Sequence, residues 1–244
     1  SSRINSNGSA VIVKDISGEV LVIPDPPSKK IINTSFSGRG NDWTTQWDET
    51  FLKKYSEVMK VIGERLFYEY SYTGLFGVDF LIDQNETIYI VEINPRHQGT
   101  TPYLSQLSLL HDEVPLDFIH TLQKLQPALD TKSLLSIDEK SVESYISKRL
   151  SLTGIFYLKL NASDTLLLHK DSIHQYKKNI SQRELKNSYL QKVPHLMLDT
   201  PLQDNNFGIL GQSSVFWGTS PYELITSHGE YSSFAQSIVK IDSH

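Results

Sequence analysis

The stretch Gly77-Val78-Asp79-Phe80-Leu81, a polar break, and Tyr89-Ile90-Val91-Glu92-Ile93-Asn94-Pro95-Arg96-His97-Gln98-Gly99-Thr100-Thr101 constrains this chain more than any other part of it. Val78, Phe80 and Ile82 alternate with other residues, as do Tyr89, Val91 and Ile93, and a period of two reads as strand. Both halves look buried. The break Asp83-Gln84-Asn85-Glu86-Thr87 is a turn cluster of the kind that closes a hairpin. If the strands pair antiparallel, Asp79 and Glu92 come side by side near the open end. Parity then places Asp79, Glu92 and Asn94 on one face, opposite the apolar side chains of their own strands.

A hairpin with charge on one face is ordinarily just half solvated. Here the neighbours are apolar, and the second carboxylate is followed at once by Asn94-Pro95-Arg96. A buried carboxylate is costly unless it is paired. Three hard oxygen donors converging with an arginine outline a magnesium–phosphate site. Gly99-Thr100-Thr101-Pro102 would add backbone N–H groups and hydroxyls beside a phosphate at a helix start. Gly38-Arg39-Gly40 offers a further arginine for a substrate carboxylate. His97 and Gln98 lie in the same region, yet neither is needed for the chemistry. Lys14 reads as a solvated strand end.

Upstream, Ala10–Lys14 and Glu19–Ile23 read as a strand pair around Ser17-Gly18, and Pro24, Pro26 and Pro27 force an extended exit. Ser35–Gly40 reads as a flexible loop. From Glu49 to about Glu69, Leu52, Tyr55, Met59, Ile62 and Leu66 repeat at helical spacing behind Asp48 or Thr45 as a cap. Thr73-Gly74 ends that stretch. Tyr103–Leu110 and Pro115–Leu125 read as two helices, the second opened by Pro115. A boundary falls between Gln126 and Glu143. Beyond it come strands at Gly154–Leu160, Thr165–Leu168 and near Phe207–Trp217, a polar helix around Arg183–Lys192, and a short helix opened by Ser220-Pro221. Trp217, His169 and His174 read as structural.

Net charge is -5 with pI near 5.9, which argues against a nucleic-acid stripe. No basic run points to an anionic membrane, and no apolar run approaches membrane-spanning length. These features lead to an expectation of a cytoplasmic protein. With no cysteine, disulfides, thiolate metal sites and thiol nucleophiles are excluded. No Gly-x-Ser-x-Gly elbow supports a serine hydrolase. With 244 residues the chain can bury a sizeable core.

Gly77-Val-Asp79-Phe-Leu, a turn, and Tyr89-Ile-Val-Glu92-Ile-Asn94-Pro-Arg96 followed by Gly99-Thr-Thr101 resembles the magnesium-binding hairpin of the ATP-grasp superfamily. The run is most similar to peptide and amino-acid ligases of the pheganomycin-ligase type. Gly8–Ile23 and Gly38-Arg39-Gly40 are similar to the central strand pair and substrate-facing loop of that group. The resemblance covers roughly residues 8–126. It implies an α+β fold, the C-terminal half of an ATP-grasp domain over residues 1–130, followed by a small α+β tail over 131–244. It implies that Asp79, Glu92 and Asn94 hold magnesium ions bridging the ATP phosphates. Arg96 would bind the transferring phosphoryl group or acyl phosphate, with Gly99 and Thr100 at the nucleotide and Arg39 and Thr101 near substrate.

The activity implied is ATP-dependent ligation of a carboxylate to an amine. The alternatives are a non-catalytic ATP-grasp-like assembly subunit, or a carboxylase or nucleotide-pathway ligase. The Gly-Thr-Thr loop, in place of the more acidic loop of the biotin-carboxylase group, favours the first. Expected partners are a small-molecule acid and amine and an adenine-binding ATP-grasp half, in the same protein or another chain. Homo-oligomerisation is left open.

Overall fold

The computed structural model describes residues 3–14, 18–32, 38–126, 130, 135, 141–159, 166–169, 195–198, 207–209, 215–219, 223 and 240–241. Within them the chain runs through β1 (Ile4–Lys14), β2 (Val20–Pro24), β3 (Ser28–Ile32), β4 (Gly38–Asp42), α1 (Glu49–Tyr70), β5 (Gly74–Ile82), β6 (Ile88–Asn94), α2 (Thr101–Leu110) and α3 (Leu116–Leu125). Helix α4 (Val142–Leu150) and strands β7 (Ile155–Lys159), β8 (Leu166–His169), β9 (His195–Leu198), β10 (Phe207–Ile209), β11 (Val215–Thr219) and β12 (Lys240–Ile241) follow. The fold is mixed α+β built on antiparallel strand pairs.

Two compact units interleave along the chain. One gathers Ser6–Pro27 with Gln46–Leu152, the other Ser28–Thr45 with Ser2–Asn5 and Thr153–His244. The sequence suggested successive segments 1–130 and 131–244. In the structure β3 and β4 group with the second unit and α4 with the first.

In the first unit β6, β5 and β1 lie side by side, with β2 also paired to β1. The two form the strand pair expected from the sequence, with Ala10 facing Pro24 and Lys14 facing Val20. Helix α1 is started by Asp48, whose side chain accepts from the Phe51 amide at 2.8 Å, satisfying a donor the helix cannot. Trp47 stacks on Phe51 at 4.5 Å and donates to the Pro27 carbonyl. The buried face of α1 is Phe51, Tyr55, Met59, Ile62 and Gly63. It is centred one residue earlier at its start than the expected Leu52–Leu66 stripe, because the Trp47 stack draws Phe51 inward. Val11, Val13, Ile23, Leu75, Leu116 and Ile119 form a core shared by β1, β2, β5 and α3.

A second buried feature of this unit was not visible in the sequence. Arg149 of α4 is wholly buried and donates Nε and Nη2 to Asp25 Oδ1 at 3.0 and 2.6 Å, Nη2 to Ser108 Oγ, and Nη1 to the Val114 carbonyl. Burial pushes the Asp25 carboxyl above its ordinary value against the pull of Arg149. Burial alone would lower Arg149, and Asp25, together with Tyr145, more than restores it. A guanidinium does not give up its proton in a protein, so the two form an ion pair at neutral pH.

In the second unit β3, β4, β7, β11 and β9 pair in that order, and β10, β8 and β12 make a separate three-stranded sheet. Strand β3 was read only as an extended exit, since Lys29 and Lys30 conceal it. Lys29 is in fact buried, opposite Asp42 and 3.9 Å from Glu223, and burial pushes its ammonium below the usual lysine value. Gly38–Gly40, expected as loop, are the first residues of β4, bulged against β3 at Ile31/Ile32. Around them Asn41 bridges Ser28 and Tyr157, donating to one and accepting from the other. The expected helices around Arg183–Lys192 and at Ser220-Pro221, and His174, lie outside the described residues.

Candidate magnesium and phosphate site

Strands β5 and β6 form the expected hairpin, and Asp79 pairs directly with Glu92 while Gly77 pairs with Asn94. Directly opposed residues share a face, so Asp79, Glu92 and Asn94 do line one side. The register shifts between Asp79 and Phe80, because Phe80 pairs with Ile90 and Val91 is the extra residue. Such a bulge changes the parity of one strand. Beyond it Ile88 and Ile90 share the face of Ile82 and Phe80, while Tyr89 joins Leu81 and Asp79. Tyr89 was expected on the opposite side from the carboxylates; the bulge reverses it.

Burial differs from expectation as well. Strand β5 is buried through Val78, but β6 is an exposed strand at the end of its sheet, with Val91 64% and Tyr89, Ile90 and Ile93 about 40% exposed. Glu92 is exposed and Asp79 half-buried. Burial therefore does not explain why a cation belongs here. What the register does is set two like charges directly opposite one another on a strand pair, where they repel.

The turn holds the hairpin closed at its far end. Asp83 accepts from the amides of Asn85 and Thr87 and from Tyr89 Oη, and these bonds, led by that from Thr87, hold its carboxyl below the ordinary value. Lys54 of α1 donates to the Glu86 carbonyl. At the near end α3 anchors β5: the Leu75 amide donates to His120 Nδ1 at 3.2 Å, and Lys124 donates to the Thr73 carbonyl. Gly74 permits this, with φ of 115° and no Cβ to strike the His120 ring. Burial, then the neighbouring His97 and Lys124, pushes His120 below the ordinary histidine value.

After Asn94 the chain makes a tight turn. The Arg96 amide donates to the Asn94 carbonyl at 2.8 Å across Pro95, a three-residue turn suited to the fixed φ of proline. The exposed Arg96 guanidinium donates Nη2 to Asn94 Oδ1 at 3.1 Å and Nη1 to the His97 carbonyl. Gln98 donates its side-chain amide to the carbonyls of Asn94 and Arg96. The His97 and His120 rings meet edge to face at 4.8 Å. The structure thus gives Gln98 a structural task that the sequence did not.

Thr100 and Thr101 are buried, and Thr100 does not cap α2 with its side chain; Thr101 Oγ1 instead accepts from the Gln98 amide. Gly99 is exposed in open space. Arg39 lies in β4 of the other unit, and His169 and Trp217 lie in β8 and β11.

The donor set is two carboxylates and one amide oxygen, all hard ligands. Among the described residues no group of three or more His, Asp or Glu is placed to hold a metal. Magnesium suits such a set, because it keeps water and phosphate oxygens in its shell rather than demanding an all-protein cage.

Residues 5–100 match the family model of the ATP-grasp domain. That part of the chain is similar to an ATP-grasp domain. The match runs from β1 through the hairpin to Thr100. Among solved structures, the chain is similar to N5-carboxyaminoimidazole synthase from Aspergillus clavatus in complex with ADP and 5-aminoimidazole ribonucleotide, at 12% identity and a TM-score of 0.45, covering 90% of this chain and 47% of that one. It is also similar to a biotin carboxylase–β,γ-ATP complex from Campylobacter jejuni, at 12% identity and a TM-score of 0.49, covering 91% and 42%. The chain spans less than half the length of either. Among the described residues no helix is long and apolar enough to cross a membrane.

Proposed function

We propose that this chain supplies the magnesium- and phosphate-binding wall of an ATP-dependent ligase that joins a carboxylate to an amine. The observation that carries the reading is the direct pairing of Asp79 with Glu92, with Asn94 on the same face and Arg96 bonded to its amide oxygen. Asp79, Glu92 and Asn94 would hold magnesium, which when bound neutralises charge on the β- and γ-phosphate oxygens. The run through Gly99-Thr-Thr101 supports a ligase of the peptide or amino-acid type.

In this reaction the substrate carboxylate oxygen attacks the γ-phosphorus, the bond to the β,γ-bridging oxygen breaks, and ADP leaves. The amine nitrogen then adds to the acyl carbon of the resulting acyl phosphate, inorganic phosphate departs, and the amine loses a proton. Arg96 has a rigid fork of donors for two phosphoryl or acyl-phosphate oxygens. Its guanidinium is exposed, and its present acceptors are Asn94 Oδ1 at the end of β6 and the His97 carbonyl beside it, so turning to an anion costs little. The chemistry asks for positioning and charge stabilisation more than acid–base groups.

Isothermal titration of the full-length protein with ATP, with and without magnesium, tests the reading. Magnesium should tighten ATP binding in the parent and do so far less in Glu92→Gln. Equal affinity in both, with ligation unchanged, would sink the metal assignment.

A further inference from the structure

We infer that Gln98, seated over Gly77, is a positioning residue that fixes Asn94 and Arg96 for cation and phosphate binding; the inference rests on the function proposed above for that face. Gly77 pairs directly with Asn94 and stands two residues before Asp79 on β5, so a side chain at 77 would point to the face that carries Asp79 and Glu92. A Cβ there would lie 2.5 Å from Gln98 Cγ and Cδ. The space above Gly77 is occupied by the Gln98 side chain instead.

From that seat one primary amide spans the turn. Gln98 Nε2 donates to the Asn94 carbonyl at 3.3 Å and to the Arg96 carbonyl at 3.1 Å, using both of its hydrogens. The Asn94 carbonyl also accepts from the Arg96 amide. Pro95 contributes no N–H and holds φ. The Gln98 backbone amide is tied to Thr101 Oγ1 at 2.9 Å, which roots the clamp in α2. Both ends of the Asn94–Arg96 turn are therefore fixed by a residue with no required contact to substrate. Groups that orient metal ligands are worth roughly 10- to 100-fold in metal affinity when removed.

The test is a titration of the full-length protein with manganese, as the probe cation, in the presence of ATP. Gln98→Ala should weaken manganese binding roughly 10- to 100-fold with the melting temperature nearly unchanged. Gln98→Glu should do no better, because a carboxylate would face two carbonyl oxygens. Gly77→Ala should weaken binding alone, yet add less than about twofold in the Gln98→Ala background, where its space is vacant. Parental affinity in Gln98→Ala, or fully additive losses, would overturn the inference. If Gly77→Ala does not fold, the Gln98→Ala and Gln98→Glu pair still decides. Asp79→Asn separates the two levels of the argument. Lost manganese binding in Asp79→Asn with parental binding in Gln98→Ala removes only the positioning role. Unchanged binding in Asp79→Asn removes the cation site and this inference with it.

Discussion

Asp25 and Asp79 belong to the same unit, and the fold treats them in opposite ways. Asp25 is sealed against Arg149, whose other donors go to Ser108 and Val114, so every strong electrostatic demand is met inside the protein. Asp79 is set across from another carboxylate on a strand at the sheet's end, and the Arg96 guanidinium on the turn that follows is bonded to the Asn94 amide oxygen. A closed charge pair welds α2, α4 and the end of β2 together. A carboxylate pair set face to face across two strands concentrates negative charge, which a bound cation would offset.

The largest effect should come from breaking the closed pair. Arg149→Met leaves Asp25 buried with its charge uncompensated, at a cost of about 3–5 kcal/mol, read as a fall in melting temperature or denaturant midpoint. Adding Asp25→Leu should recover much of that loss, since a buried pair exchanged for apolar groups is often close to neutral. A mild effect of Arg149→Met would erase the contrast with the open site.

The sequence carried the open site far better than the closed one. Strand periodicity and the turn cluster were enough to pair Asp79 with Glu92, and Asp48 was legible as the α1 cap. The bulge at Val91 was not, because nothing in Ile90-Val91-Glu92 marks one extra residue, and it reversed Tyr89. Nor was the exposure of β6, whose apolar alternation looks the same whether or not anything covers it. The Asp25–Arg149 pair joins positions 124 apart in sequence, and no local pattern can announce it. Gln98 escaped because its partners are backbone carbonyls and a missing side chain at Gly77, and neither leaves a motif.

Within the open site, Arg96→Lys should act on the transition state. Lysine keeps the charge but loses the planar fork, so turnover should fall by about 3 kcal/mol of barrier, or roughly a hundredfold. ATP affinity and melting temperature should stay near the parental values. A variant that melts early but ligates at the parental rate would place Arg96 in the scaffold. Asp79→Asn should show the reverse sign from Arg149→Met in the metal-free protein. Removing one of two opposed like charges should leave stability unchanged or raise it by roughly 0.2–1 kcal/mol, while magnesium-dependent ATP binding is lost. Clear destabilisation would mean that Asp79, too, is a closed structural charge.

The smallest effect is expected where the two regions meet the shared core, at His120. Its Nδ1 accepts from the Leu75 amide, so the folded protein favours the neutral ring, and burial with His97 and Lys124 nearby lowers its proton affinity. A group whose folded value is depressed contributes stability above its unfolded value that is lost as pH falls through the folded one. The window therefore begins near the ordinary histidine value of 6.5 and extends downward. Acidification from about pH 7.5 toward 5 should lower the melting temperature modestly, since the ring is partly exposed and solvent screens it. His120→Phe can neither titrate nor accept from Leu75. It should melt lower than the parent at pH 7.5 and show a flatter profile below pH 6.5, the two curves converging in acid. Parallel curves would mean that the acid sensitivity arises elsewhere and that His120 does not hold the near end of the hairpin to α3.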